Sequence, residues 1–552
     1  MESTVLASGL SSMKEIAQLT LIIGWTVVSH GAPVPLQKIS TNYSLSAVTG
    51  PASLRDEART EKWAGEQAPV DGMKVFARES GGSVWLGSQH GAARFNSHAK
   101  HRWDRWQYFS GRRWLMDDDV RNIVVEERRG ATVVWIRTAT GISVIEWRPM
   151  TLEEKAKYFD ERIEARHVRH GLVSDSGLRV AGDLSSNVKS DNDNDGLWTA
   201  MYLGAQAYRY AVTKDPDARM KAQRAVRAML RLEEITGVPG FYARSFVSMD
   251  EPRPGGGEWH PTPDGKWLWK GDTSSDESVG HYFGYAAYYD LVADEKEKEQ
   301  IRQVISRMTD YVIAHDYDLI DLDGKPTRWG QWSEAYFKTV EGTYEAPLRS
   351  LELLSFLKTT EHITGDRKYR DAYEDRVRAG YAKQVPSYRR WAGGGEINFS
   401  DDELAYLSWQ PLMKYERDRE LRKIYLDGLR FTWSQVRPDM NPLWNYISAA
   451  SGAGKMTREV REESRQALER VPMDMIEWSV RNSHRRGLKF RVDRERFGRV
   501  QTVEVLAPDE RAVSKWNGNP YVPDGGANGF GEDDGAFFLL PYWYGRYHGW
   551  VK

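Results

Sequence analysis

Residues 270–285, KGDTSSDESVGHYFGY, place His281 and Tyr285 four positions apart, on one face of a helix. A His–Tyr pair can serve as general base and acid. Gly280 and Gly284 flank the pair. Each costs about 1 kcal/mol in a helix relative to Ala, so they call for a reason, and close approach of a ligand or a neighbouring backbone supplies one. A core histidine bonded to a helix end is the competing reading. Residues 240–247, GFYARSFV, set Arg244 between Tyr242 and Phe246. A guanidinium there suits a carboxylate gripped by two parallel hydrogen bonds, or a strut over an aromatic face. His281, Tyr285 and Arg244 are therefore the candidate catalytic residues.

A second group of residues could bind a substrate. DNDNDG at 191–196 has the first half of a calcium loop, but position twelve is Tyr202 where a bidentate Glu is needed. The run reads better as a helix start, with Asn194 and Asp195 at a cleft rim. TRWGQWS at 327–333 offers Arg328, Trp329 and Trp332, and GTYEAPLRSLELL at 342–354 offers Glu345. EINFSDDELAYLSW at 396–409 is another capped helix and offers Asp402. Farther on come Asn482, His484 and Arg485, then Trp516 of KWNGNPY, then Arg546 and His548 of the terminal GEDDGAFFLLPYWYGRYHGW. With Tyr242 these form the candidate substrate-binding set. Asp195, Glu345, Asp402 and Glu532 could alternatively supply the two carboxyls, about 6.5–9.5 Å apart, of an inverting glycosidase.

The elements that carry these residues alternate in a regular way. Helical periodicity and short turns mark pairs at 197–212 with 216–235, 278–292 with 297–314, 347–363 with 369–381, and 401–415 with 421–436. Shorter pairs follow at 442–450 with 458–470 and at 473–483 with the C-terminal segment. Connections between pairs are long, aromatic and Gly-rich, at 236–275, 314–344 and 383–400. About six hairpins with long loops on alternate ends predict an (α/α)6 toroid over 174–552. An α-solenoid is the rival, although its repeats are more constant in length. Residues 151–173 read as a charged linker helix. Before them, 33–150 read as β: GGSVWLGSQHGAARFN at 81–96 and GATVVWIRTATGISVIEW at 130–147 repeat a Gly-turn and Trp-strand scheme about 50 residues apart. These resemble propeller blades, but two are too few to close a propeller. A plain sandwich remains the alternative.

Composition narrows the function classes. The chain has 552 residues, no Cys, and 77 basic against 79 acidic residues, a formal charge of −2. Nucleic-acid binding is disfavoured by that balance, and thiol chemistry and cysteine-metal sites are excluded. The 22 Trp, 27 Tyr and 16 Phe suit a large aromatic core and a cleft that stacks rings on sugars. Met13-Lys14-Glu15, the apolar run 16–28, which is too short to span a bilayer as a helix, and small residues near Gly31 read as a signal segment over 1–32. A secreted or periplasmic protein with no membrane span follows as an expectation.

INFSDDELAYLSWQPLMKYE, APDERAVSKWNGNPY and EDDGAFFLLPYWYGRYHGW resemble exported helical-toroid proteins that carry regulator-propeller-like N-terminal repeats. Among characterised families the chain is similar to polysaccharide lyase family 27, the rhamnosyl-glucuronate lyases of arabinogalactan side chains. The resemblance spans most of the chain after about Val70. It implies a cofactor-free, metal-free β-elimination at a 4-linked glucuronate of an oligo- or polysaccharide. An inverting glycoside hydrolase on the same toroid and a carbohydrate-binding sensor are the alternatives.

Overall fold

A computed structural model describes residues 35–552 apart from 49, 55–62, 64, 129–130, 252–255, 390–397, 513–514 and 516–517. The expected signal segment 1–32 lies outside these residues. Twelve helices build the main body: α1 (Leu152–Arg166), α2 (Asp195–Thr213), α3 (Pro216–Glu234), α4 (Ser275–Leu291), α5 (Glu295–Ala314), α6 (Val340–Thr364), α7 (Arg367–Arg378), α8 (Phe399–Tyr415), α9 (Arg419–Val436), α10 (Pro442–Ser451), α11 (Arg458–Arg470) and α12 (Ala536–Tyr547). The even-numbered helices pack in sequence, α2 on α4, α4 on α6, α6 on α8, α8 on α10 and α10 on α12. Finally α12 packs back on α2, which closes a ring. The odd-numbered helices pack outside it.

Composition explains which helix is inside. The inner helices are buried almost all round; α4 covers every side from Glu277 to Tyr288. The outer helices are amphipathic, and four of the six start at Asp N-caps, Asp215, Asp294, Asp366 and Asp418, the other two at Thr151 and Thr457. Rings bridge neighbouring inner helices: Tyr282 stacks on Phe356 at 4.3 Å and Tyr406 on Trp444 at 4.6 Å. A Cβ on Gly280 would lie 2.9 Å from the Leu197 Cα, so this glycine serves the close crossing of α2 and α4. It does not open the helix face to a ligand.

Two sequence expectations change here. Residues 151–173 contain α1, which packs on α12 as the outer partner of the last pair. Its Lys155 Nζ donates to Gln37 and to the carbonyls of Leu468, Glu469 and Val471, locking it against α11 and the N-terminal strand. Residues 473–483, read as helix, form a strand instead (Ile476–Val480). Ile476, Trp478 and Val480 alternate with period two, which outweighs the short helical pattern. That strand pairs with Gly525–Glu532, which also pairs with Asp175–Leu178.

The N-terminal region forms two antiparallel four-stranded sheets. Strands β1 (Leu36–Ser44), β2 (Val75–Arg78), β3 (Val84–Ser88), β4 (Gly91–Phe95), β5 (Trp106–Phe109), β6 (Val120–Arg128), β7 (Ala131–Thr138) and β8 (Gly141–Pro149) are ordered β2-β3-β4-β5 and β1-β8-β7-β6. Trp85, Phe109 and Trp147 meet in the shared core. The first sheet is a four-strand meander and the second a three-strand meander completed by β1 on β8, and among the described residues no closed propeller is made.

Candidate active site

All six inner helices begin at the same end of the ring. Four of them are capped there by side chains: Ser274 on α4, Thr339 on α6, Asn398 on α8 and Asn441 on α10. Aligned helix starts give a positive field that favours carboxylates. The first two turns supply them: Asp276 from α4, Glu345 from α6 and Asp401 and Glu403 from α8, joined by Asp533 and Asp534 just before α12. This end is also where the long loops sit.

Glu403 is the most deeply buried of these carboxylates. It is 1 % exposed, and its Oε1 has no hydrogen-bond partner. Burial pushes its carboxyl well above the ordinary value, and the charges of Asp276 and Asp534 add to that push against Lys515. These surroundings favour the protonated form of Glu403. Asp534 is the opposite case. Burial pushes it up as well, but Lys515 and the Ala536 amide outweigh burial and hold it below the ordinary value. Lys515 Nζ sits 3.2 Å from Asp534 Oδ2 and 4.2 Å from the centre of the Trp198 ring. Asp533, also buried, is pushed up to about 7 by desolvation and by Asp534, Glu477 and Asp175. A cavity of about 500 Å³ opens onto Trp198, Lys515, Asp533, Glu477 and Asp175. A narrower one on the far side of Lys515 is lined by Phe399, Asn441 and Phe537.

A brace on α6 supports the α8 carboxylates. Arg349 donates to Glu345 at 2.9 Å and to Glu352 at 3.1 Å, and Trp332 Nε1 donates to the same Glu352 oxygen at 2.8 Å. Asp401, which feels this group, is pushed up to about 7 by burial. At the rim Trp329 is 40 % exposed, with the Arg328 guanidinium 4.6 Å from its ring centre.

The sequence-derived residues are distributed unevenly over this frame. Glu345, Trp332, Arg328 and Trp329 lie at the ring end that carries these carboxylates, with Trp332 buried and Trp329 exposed. His281 does not. It is fully buried, its Nδ1 bonds the Glu277 carbonyl at 2.7 Å, and its ring packs on Tyr242. Burial lowers its pKa to about 4. Tyr285 is equally buried and its hydroxyl has no partner. Both point toward α3, on the outer side of the ring, so the pair cannot meet a substrate. Tyr242 is fixed there by Ser278 at 2.5 Å. Arg244 is spent on its own loops, donating to the carbonyls of Asp193 and Asp272 and to Asn194 Oδ1. Asp195 is held by Arg169 at 3.0 Å and by Ser245. In DNDNDG, Asp191 takes Lys270 at 3.1 Å and Asp193 takes it at 2.5 Å, so a lysine fills the place read for calcium.

The remaining corrections have equally local causes. Asp402 is clamped by Arg389 and by Tyr388 at 2.9 Å, and Glu532 by Arg162 and Arg166. Asn482 is buried on the carbonyls of Glu510 and Pro523. His484 bonds Tyr108 at 3.0 Å and Arg485 pairs with Glu510 at 2.8 Å, which places both against the N-terminal sheet. Arg546 and His548 lie at the C-terminal end of α12, about 15 and 18 Å along the helix axis from its first residue, Ala536. Trp516 lies outside the described residues. Replacing His281 by Ala should therefore lower the melting temperature through a lost core ring, a cost of about 2–4 kcal/mol. It should change kcat/KM by less than about threefold. Thermal unfolding and steady-state kinetics on the same sample check both halves.

Sequence reasoning missed Glu403, Asp534, Asp533, Asp276, Lys515 and Trp198 as site residues. Five of them stand next to, or one turn from, residues it did select.

Among the described residues no helix is long and apolar enough to cross a membrane. No family model and no curated protein matches the chain. It is similar to several solved structures at low identity. One is a sugar epimerase from a ruminal bacterium, at 10 % identity over 70 % of this chain and 98 % of that one, with a TM-score of 0.35. A single mutant of a thermostable endoglucanase from Alicyclobacillus acidocaldarius matches at 10 % identity over 85 % and 97 %, TM-score 0.39. The cellobiose 2-epimerase of Bacillus thermoamylovorans matches at 12 % identity over 71 % and 99 %, TM-score 0.34. Likenesses this distant assign no family.

Proposed function

We propose that the chain is a carbohydrate-active enzyme that hydrolyses a glycosidic bond, with Glu403 as general acid and Asp534 as general base. The observation that carries this reading is the split between the two carboxylates. Burial and acidic neighbours raise the pKa of one and favour its protonated form, and Lys515 holds that of the other below the ordinary value and favours its ionised form. Carboxyls driven apart in this way are the equipment of glycoside hydrolysis. Glu403 would protonate the leaving oxygen while Asp534 draws the proton from the attacking water. Asp276, which faces Glu403, would keep that acid protonated. The exposed Trp329 at the mouth gives a flat apolar surface for a sugar ring.

Elimination at a glucuronate, the reaction implied by the lyase resemblance, is less well supported. Its acid–base pair is in the core, and its carboxylate clamp needs an uncommitted guanidinium. Arg244 and Arg485, the guanidiniums read for that role, are committed to partners within the chain. The ring end is also rich in carboxylates, which repel a uronate.

Hydrolysis of neutral and uronate-containing polysaccharides, followed as new reducing ends and as absorbance near 235 nm, tests the choice. Reducing ends without absorbance support hydrolysis, and a matching rise in absorbance rejects it. Trp329→Ala should raise KM about tenfold with kcat nearly unchanged, the size of one lost stacking contact. An unchanged KM would remove Trp329 from the substrate path.

A further inference from the structure

We propose that Glu258, His260 and Asp321 bind one divalent transition-metal ion of the zinc class, which pins together two long loops at the ring mouth. A ligating atom of each residue lies within 4.8 Å of the other two. Glu258 and His260 belong to the loop that joins α3 to α4. Asp321 belongs to the loop that joins α5 to α6, which also carries Trp329. The two loops already touch: Asp272 Oδ1 accepts the Arg328 amide at 2.9 Å, and Ser274 bridges to Trp329.

The histidine is what separates this group from an ordinary acidic patch. His260 Nε2 is shielded from water and makes no hydrogen bond, although Glu258 Oε1 is only 3.1 Å away. The carboxylate oxygen therefore sits off the nitrogen's donor axis. Two ligands held about 2.1 Å from one ion are about 3.4 Å apart at the tetrahedral angle zinc favours and about 3.0 Å apart at a right angle, so the spacing falls in the range of neighbouring ligands of a shared metal. The ring is oriented by Trp269, 4.4 Å away between centres. The Asp321 carboxylate is oriented by the amides of Asp272 at 2.8 Å and Leu322 at 2.7 Å. Such outer contacts are what fix metal ligands in place. A Cβ on Gly271 would lie 2.9 Å from His260 Nε2, so glycine keeps that side of the nitrogen open. Among the described residues no lysine or arginine forms an ion pair with Glu258 or Asp321. One imidazole and two carboxylates suit a zinc-class ion better than calcium, which takes oxygen ligands alone.

The test is calorimetric titration of the full chain with ZnCl2 after dialysis against EDTA. Wild type, His260→Gln and Glu258→Gln are compared, the last being a change at an exposed side chain that spares the fold. The expected result is one equivalent bound by wild type and at least about tenfold weaker binding by both variants. Zinc should also raise the melting temperature of wild type and not that of His260→Gln. No uptake by wild type, or equal uptake by wild type and both variants, overturns the proposal. Neither readout depends on what reaction the ring catalyses.

Discussion

Glu403→Gln is expected to lower kcat about 10²–10⁴-fold, the range of a lost general acid, while leaving the fold intact or firmer. The amide keeps the shape of the neutral carboxylic acid but cannot release a proton to the leaving oxygen. Stability moves the other way because the folded-state pKa of Glu403 is raised. A raised carboxyl contributes its stability below the unfolded value of about 4.5. It loses that contribution as pH rises, because the unfolded chain ionises freely and the folded chain does not. Gln has no such loss, so the variant should melt above wild type at pH 8 and near it at pH 4. Kinetics combined with a pH series of melting curves checks both arms. A variant that is inactive and also less stable at pH 8 would mean that Glu403 is ionised and structural.

Lys515→Met should be the most damaging single change at this ring end. It removes the cation that keeps Asp534 ionised and leaves a carboxylate with only 4 % of its side chain exposed to carry an uncompensated charge. Breaking such a pair from one side costs about 3–5 kcal/mol. Asp534 has a depressed pKa, so its stabilising effect is present above the unfolded value of about 3.8 and is lost as pH falls through the folded value. Without Lys515 that pKa rises. The acid limb of kcat/KM should then move up by at least about one pH unit, and activity should recover partly on the alkaline side. A pH–rate profile unchanged in shape would show that Lys515 supports the fold alone.

The helix pairs were legible because the chain punctuates them. Each of the turns at Asp215, Asp294, Asp366 and Asp418 holds the Asp that caps the next outer helix, and the inner helices carry apolar residues on every side. The partner of the last inner helix was not legible. α1 meets α12 across some 370 residues of intervening chain, and its charged surface reads like that of any exposed helix. Within the site, sequence located the right segments and the wrong neighbours. In FSDDEL it selected Asp402, but Arg389, thirteen positions upstream, occupies that carboxylate and leaves Glu403 unpartnered. In GEDDG it selected Glu532, which Arg162 and Arg166 neutralise from α1, while Asp534 turns toward Lys515. Motif chemistry identifies which residues could act. Whether a given carboxylate is free depends on arginines brought in by the fold. The His281–Tyr285 pair failed for a related reason. The glycines beside it answer the close crossing of α2 and α4, so the same helical spacing that suggested a catalytic face describes a packing face.

The most direct test of the carboxylate account is cleavage in water enriched in ¹⁸O, with products read by mass spectrometry, for wild type, Glu403→Gln and Asp534→Asn. The account predicts one ¹⁸O per new reducing end in wild type and a rate at least about 10²-fold lower in each variant. An unlabelled, unsaturated product, or a Glu403→Gln enzyme that turns over at the wild-type rate, would contradict it.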